Sequence, residues 1–237
     1  FIFYSFLTII IFLILNLFDF RSFISLNLSM TLIASGGFLP TNNLEIVLNT
    51  QTKMIVFSLL MLISFFSLFF LYNLLFYKKK GVKFIQEDVY LVIYLLFIIF
   101  IFFLLIDKNT NFGIIFLAIS SSVSNVGVSL KNTPEYLSFI FLILIIIGGS
   151  FFSTSSGLRF LKIVSLFQFS INEIISNAKP KNIFINKLWL SDKIMDKSDF
   201  YKYFFSILIF IISLILLTSI LSISGLDIES SFKLSIL

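Results

Sequence analysis

The sequence predicts an all-α integral membrane protein built from a repeated unit. Each unit consists of a membrane span, a short half-length helix with a polar loop, and a second span. Hydrophobic residues make up 59% of the 237 residues and charged residues only 12%, whereas soluble domains have about 25% charged residues. Full-length and half-length apolar segments alternate, and glycine-containing polar tips recur about 90 residues apart. These observations together favour a multi-pass membrane fold with internal repeats.

The composition also excludes several kinds of chemistry. The chain has no histidine and no cysteine, so it lacks the common ligands of zinc, the usual proton shuttle and any thiol nucleophile. We therefore expect neither an enzyme nor a bound cofactor. The net charge of +5 is interpreted as a topology signal and not as a sign of nucleic-acid binding.

The apolar segments define the predicted spans. A membrane helix needs roughly 20 mainly apolar residues to cross the hydrocarbon core. The segments of about that length are 1–18, 54–77, 88–106, 135–165 with a break inside it, and 201–224. Three shorter segments, 20–33, 110–123 and 228–237, are predicted to be re-entrant or interfacial helices.

Basic residues set the predicted orientation. They concentrate at positions 78–83 and again between 159 and 202, two spans further along the chain. The loops on the opposite side carry few of them. By the positive-inside rule, the two lysine-rich loops are expected to be cytoplasmic.

The two glycine tips belong to an internal repeat. Residues 30–42, MTLIASGGFLPTN, align with residues 121–133, SSVSNVGVSLKNT, with Gly36 placed on Gly127. A third copy starts at 201 and would end about seven residues before its own tip, so the chain is predicted to be a fragment of a longer protein. The predicted units are 1–77, 84–165, a linker at 166–200, and 201–237.

A repeated half-helix with a polar tip indicates a pathway for ions. Irregular backbone at membrane depth is tolerated where protein buries it or where it lines a watery cavity, and inward-facing carbonyls can replace the hydration shell of a cation. A single tip of this kind is more often an ordinary extracellular turn, but two at equivalent points favour a pore. The candidate filter residues, with Gly36 and Gly127 expected to set the geometry, are Ile33, Ala34, Ser35, Gly36, Ser124, Asn125, Val126 and Gly127.

Residues 148–162, GGSFFSTSSGLRFLK, interrupt an apolar run with small polar residues and an arginine. Glycine and serine lower helix propensity, so residues 148–158 are predicted to form an unwound intramembrane loop. A charge within a span is costly and should face a cavity or a partner. Arg159 either reaches the cytoplasmic interface and anchors the topology, or it forms an electrostatic barrier to cations beside the inner pore.

The same residues resemble the glycine-rich intramembrane segment of the Trk/Ktr/HKT superfamily of potassium transporters, whose pattern is approximately GGxxGSTGGGIKxxR. SMTLIASGGF and SSSVSNVGVSL resemble two of its filter loops, in the right order. The resemblance implies four repeated units around a pseudo-fourfold pore, each made of a span, a re-entrant pore helix, a filter loop and a second span. This chain would hold the second unit, the third unit and the start of the fourth. The resemblance also implies a gating loop, whose residues would be Gly148, Gly149, Ser153, Thr154, Ser155, Ser156, Gly157 and Arg159.

The resemblance also implies partners and a location. We expect a multi-pass protein of the bacterial cytoplasmic (inner) membrane that forms a homodimer in contact with membrane lipid and binds a TrkA/KtrA-like cytoplasmic regulatory subunit. Nucleotide would be bound only by that subunit, and the chain itself would carry transported K⁺. Glycine in both visible tips favours potassium over sodium.

Three alternatives remain open from the sequence: a sodium-selective or proton- or sodium-coupled cation transporter of the same class, a membrane-embedded lipid-modifying enzyme, and a structural or assembly subunit. Residues 166–200 are interpreted either as an amphipathic cytoplasmic element that contacts the regulatory subunit or as an interfacial linker.

Overall fold

The computed structural model describes residues 2–41, 44–68, 70–72, 85–105, 111–128, 130, 137–178 and 197–236. These residues are almost entirely helical. The named helices are α1 (Ile2–Leu17), α2 (Ser22–Ala34), α3 (Leu44–Val47), α4 (Gln51–Met61), α5 (Ile85–Leu105), α6 (Phe112–Ser124), α7 (Ser138–Ile146), α8 (Phe160–Ala178), α9 (Lys197–Ile223) and α10 (Ile228–Ile236).

The first repeat consists of α1, α2, the tip after α2, and α4. A tight turn follows α1 because Asp19 adopts a left-handed conformation with φ 57°, which returns the chain as α2 packed against α1. Lys53 on α4 supports this turn, since its Nζ donates to the Asp19 carbonyl at 3.1 Å and lies over the Phe20 ring. The predicted half-length segment is therefore a real, separate helix.

The second repeat follows the same order with α5, α6, the tip after α6, and α7. Helix α6 is buried along most of its length and packs against α4 and α7. Two of its buried serines bond back to the helix: Ser122 Oγ donates to the Ala118 carbonyl at 2.8 Å and Ser124 Oγ to the Ser120 carbonyl at 2.6 Å. A polar half-helix is thus accommodated at the centre of the described chain.

The third copy begins with α9 and returns as α10, which contacts both α9 and α7. Lys162 at the start of α8 joins this copy to the second repeat, because its Nζ donates to Ser206 Oγ on α9 at 2.8 Å. Helix α8 continues to Ala178, so the predicted linker at 166–200 begins as part of a long helix. Residues 179–196 of that linker, including Trp189, and the lysines at 78–83 lie outside the described residues.

Two apolar cores hold the repeats together. One joins α1, α2 and α4, and it also takes up Val126 and Val128 from the tip of the second repeat. The other joins α5, α6 and α7 with Phe65 from the first repeat and Phe160 from α8. Each core therefore includes residues from the other repeat, which fixes the two tips relative to one another.

The described helices fit a membrane. Helix α5 between Glu87 and Leu104, and α9 between Ser198 and Ile223, are long and apolar enough to span one. Both expose large apolar side chains such as Phe100 and Ile215, the pattern expected of surfaces that face lipid or other membrane-embedded protein.

Candidate pore loops and intramembrane loop

The two half-helices α2 and α6 end in the same way. Each is followed by a residue in the left-handed conformation, Ser35 with φ 50° and Asn125 with φ 56°. The next N–H group bonds back to the helix, from Gly36 to the Thr31 carbonyl at 3.1 Å and from Val126 to the Ser121 carbonyl at 3.2 Å. This is a helix C-cap that turns the chain sharply and satisfies free carbonyls of the last turn.

A hydroxyl group on each half-helix then supports the loop that follows. Thr31 Oγ1 donates to the Phe38 carbonyl at 2.6 Å, and Ser121 Oγ accepts from the N–H of Val128 at 2.7 Å. The hydroxyl and its partner are seven residues apart in both cases. The internal repeat predicted from the sequence is therefore present in the hydrogen bonding of the loops.

The structural register differs by one residue from the sequence alignment. The matching caps and hydroxyl contacts pair Ser35 with Asn125 and Thr31 with Ser121, which places Gly37 on Gly127. Both of these glycines have positive φ, 66° and 75°, whereas Gly36 does not. The alignment of Gly36 with Gly127 is therefore wrong by one residue, and the equivalent segments are 34–37 and 124–127, with Ile33 buried inside α2.

The two loops meet. A Cβ atom added to Gly37 would lie 2.6 Å from the Val126 carbonyl oxygen, so the backbone of one loop passes directly against the other. The loops share a cavity of about 390 Å³. Its lining also includes Ile145 at the end of α7, Ser156 of the intramembrane loop and Ile236 at the end of α10.

The electrostatics of this cavity favour a cation. Helices α2 and α6 both direct their C-terminal ends to it, and the C-terminus of a helix carries roughly half a negative elementary charge. The C-terminal ends of two half-helices therefore converge where the sequence places the candidate pathway.

The predicted interruption of the apolar run at 135–165 is present. Helix α7 ends at Ile146 and α8 begins at Phe160. The ends of the intervening segment are tied together, because the N–H of Gly148 donates to the Leu158 carbonyl at 2.7 Å and the N–H of Leu158 donates to the Ile146 carbonyl at 2.9 Å. Every gating-loop candidate, from Gly148 to Arg159, lies in this segment or at its end.

A second helix interruption, in the first repeat, lies against this loop and binds it. The sequence predicts one continuous span over residues 54–77, but α4 ends at Met61, passes through a 3₁₀ turn at Leu62–Ser64 and is not helical at 65–67. The backbone carbonyls that lose their helical partners at this interruption accept hydrogen bonds from the intramembrane loop. Ser64 accepts from the N–H groups of Thr154 and Ser155, both at 3.2 Å, and Phe65 accepts from Ser150 at 3.1 Å.

Arg159 binds inside the loop. Its Nη1 donates to the carbonyls of Ser150, Ser153 and Ser155 at 3.2, 3.3 and 2.9 Å. The half-buried guanidinium therefore holds the two limbs of the loop together, a role that sequence analysis did not consider. Its action as an electrostatic barrier stays a prediction.

Sequence analysis missed two acidic residues at this site. It singled out only Arg159 as a charge within a span, but Glu87 and Asp88 at the start of α5 are fully buried, each with 0% exposure. Glu87 accepts from the N–H of Phe151 at 3.0 Å, and Asp88 accepts from the N–H of Ser67 at 3.0 Å. The adjacent acids just before an apolar run were the only signal for them in the sequence.

Comparisons with known proteins support the fold. No protein-family model and no curated protein sequence matches the chain. The crystal structure of the potassium transporter TrkH from Vibrio parahaemolyticus superposes with a TM-score of 0.74 at 21% sequence identity, over 95% of this chain. The chain has the TrkH fold.

This match confirms the predicted fold class, an all-α membrane fold of repeated span, pore helix and span units. The chain spans about half of the TrkH structure, 51% of its length. The solved neighbour is a transporter and not an enzyme, in agreement with the expectation from the sequence.

Proposed function

We propose that the full-length protein carries potassium into the cell across the bacterial cytoplasmic membrane, through a filter whose carbonyls come from residues 34–37 and 124–127. The observation that carries this proposal is the meeting of two left-handed, glycine-containing loops at one cavity, into which half-helices point their C-termini. Carbonyl oxygens and helix C-termini are suited to a dehydrated cation. The TrkH fold supports the same class of activity.

The intramembrane loop is proposed as the gate. Ser156 lines the cavity together with filter residues, so the loop lies against the same space that an ion must pass. Asn125 links the two parts, because its Nδ2 donates to the Ile145 carbonyl at 3.2 Å, just before the loop begins. A loop in this position obstructs permeation until it moves.

Selectivity is proposed to favour potassium. Glycine occupies the equivalent positions 37 and 127 of both loops, and because glycine adopts the positive φ found there without strain, it is proposed to set the direction of the neighbouring carbonyls toward the cation. A sodium-selective or proton- or sodium-coupled transporter is the second candidate, and competition between the two ions decides between them.

An enzyme of the lipid-modifying class is disfavoured by the same geometry. The two carboxylates on α5, Glu87 and Asp88, have no exposure and bond to backbone N–H groups, so they are not placed to reach a substrate. Among the described residues, no cluster of acidic side chains fits a metal ion.

The proposed assembly rests on the sequence resemblance to the Trk/Ktr/HKT superfamily. The whole protein is proposed to act as a homodimer with a TrkA/KtrA-like nucleotide-binding subunit on its cytoplasmic side. Neither partner is needed for the local argument about the filter.

The test is complementation. Expression of the full-length gene should restore growth of a bacterium that lacks its own potassium uptake systems at low external potassium, and excess sodium should not suppress the rescue. Full expression in the membrane without rescue would overturn the proposal, and rescue abolished by sodium would favour the second candidate. A structural or assembly subunit would also give no rescue.

A further inference from the structure

The intramembrane loop is held by a carboxylate from another helix. Glu87, in the first turn of α5, accepts from the N–H of Phe151 through Oε1 at 3.0 Å and from Ser150 Oγ through Oε2 at 3.3 Å. Both carboxylate oxygens are thus used by the loop. Hydrogen bonds are stronger where water is excluded, as it is around this fully buried side chain.

The neighbouring acidic residue, Asp88, binds the segment against which the loop packs. Asp88 Oδ1 accepts from the N–H of Ser67 at 3.0 Å, within the interruption of the second span of the first repeat. That interruption contributes the Ser64 and Phe65 carbonyls that accept from the loop. One turn of α5 therefore fixes both halves of the contact between the interrupted helices.

Ser150 is held from two sides, by Glu87 and by Arg159. Its hydroxyl donates to Glu87, and its carbonyl accepts from Arg159 at 3.2 Å. Glu87 and Arg159 therefore act on the same residue from two sides, and both stabilise the conformation in which the loop lies beside the cavity. Loss of the Glu87 acceptor oxygens weakens this arrangement without touching the filter loops.

From this geometry we infer that Glu87 is a positioning residue of the gate: it anchors the loop at 147–159 in its obstructing position, while Asp88 anchors the interrupted helix that receives it. Breaking the Glu87 contacts releases the loop. The inference rests on the proposed transport function for its meaning, but the anchoring itself can be measured without transport.

The experiment uses cysteine accessibility in the full-length protein with any other cysteines removed. Ser155 is fully buried in the loop and does not contact Glu87, so a Ser155→Cys variant reports loop release through its reaction with a charged, membrane-impermeant methanethiosulfonate. The reaction rate is compared in three backgrounds: Ser155→Cys alone, with Glu87→Gln, and with Glu173→Gln. Glu173 is an exposed residue of α8 and serves as the matched control.

We expect Glu87→Gln to speed the modification about tenfold, since the amide has one acceptor oxygen where the carboxyl group uses two, and Glu173→Gln to leave the rate unchanged. Ser150→Ala removes one of the two contacts and should give a smaller increase. Because both changes act on one shared contact, their combined effect should be less than the product of the single effects. A rate unchanged by both Glu87→Gln and Ser150→Ala would overturn the inference, as would strictly multiplicative effects, which indicate general destabilisation.

Ion flux separates this inference from the proposed function. If the loop acts as the gate, Glu87→Gln also raises basal potassium uptake while the preference for potassium over sodium is kept. Faster modification with no potassium flux in any variant would support the anchor and contradict the transport proposal. Selective flux together with unchanged modification rates would support transport and contradict the anchor.

Discussion

Replacing Gly37 by alanine tests whether the two candidate filter loops really pass against each other. Two effects add at this position. A side chain at φ 66° costs about 1–2 kcal/mol because the left-handed region is unfavourable for L-residues. The added Cβ would also lie 2.6 Å from the Val126 carbonyl oxygen, and overpacking against backbone costs a further 1–3 kcal/mol or so.

Two neighbouring glycines provide matched controls. Gly127 has φ 75° but nothing within 4 Å of an added Cβ, so Gly127→Ala should cost only the conformational term of about 1–2 kcal/mol. At Gly36 the added Cβ would lie 3.2 Å from the ring of Phe38, which can turn aside. Gly36→Ala should therefore change stability by less than about 1 kcal/mol.

The assay is thermal unfolding of the purified full-length protein in detergent, followed by potassium uptake in cells. We expect Gly37→Ala to be the least stable variant, at about 2–5 kcal/mol of destabilisation, with selectivity lost as the loops separate. Gly127→Ala should be intermediate and Gly36→Ala close to the unmodified protein. If Gly37→Ala were no more damaging than Gly127→Ala, the loops would not be in contact and the reasoning would be refuted.

Three further predictions concern the loops and the arginine. Ser121→Ala leaves the N–H of Val128 without its partner and should destabilise the protein by about 1–3 kcal/mol in the same unfolding assay, more than Thr31→Val, which frees only a carbonyl. Gly127→Ser should reduce the preference for potassium over sodium in competitive uptake, and unchanged selectivity would count against the filter assignment. Arg159→Ala should raise basal potassium uptake, and Arg159→Lys distinguishes two causes. If the positive charge alone blocks the pore, basal uptake by the lysine variant stays normal. If the planar guanidinium holds the loop together, basal uptake by the lysine variant rises as well.

The sequence predicted most of the architecture because membrane insertion imposes strong constraints on it. The half-length runs could not span the bilayer, so α2 and α6 were expected as short helices and were found as such. The polar run after Ile147 could not continue an apolar helix, and its interruption was also found. These features depend on local composition, which a single sequence contains.

The alignment of the two filter loops was harder to predict from the sequence, because the left-handed cap positions are occupied by Ser35 and Asn125 and not by glycine. With two adjacent glycines in the first tip and one in the second, either glycine of the pair could be aligned to Gly127. Only the hydrogen bonds of Thr31 and Ser121 settle the choice.

Features that depend on a distant partner were not predictable. The interruption of the second span after Ser64 contains no glycine or proline, and it exists where backbone N–H groups of the intramembrane loop replace the lost helical bonds. In the same way, Glu87 and Asp88 read as an ordinary acidic first turn of a helix. Their burial follows from the position of the loop, about 60 residues further along the chain.

The most direct test of the account is a crystal structure of the full-length protein grown with Tl⁺ or Rb⁺ in place of K⁺, with anomalous scattering used to locate the ion. We predict an anomalous peak in the cavity shared by residues 34–37 and 124–127, within coordination distance of their carbonyl oxygens. A well-diffracting crystal with no peak between these loops, or with the ion bound elsewhere, would contradict it.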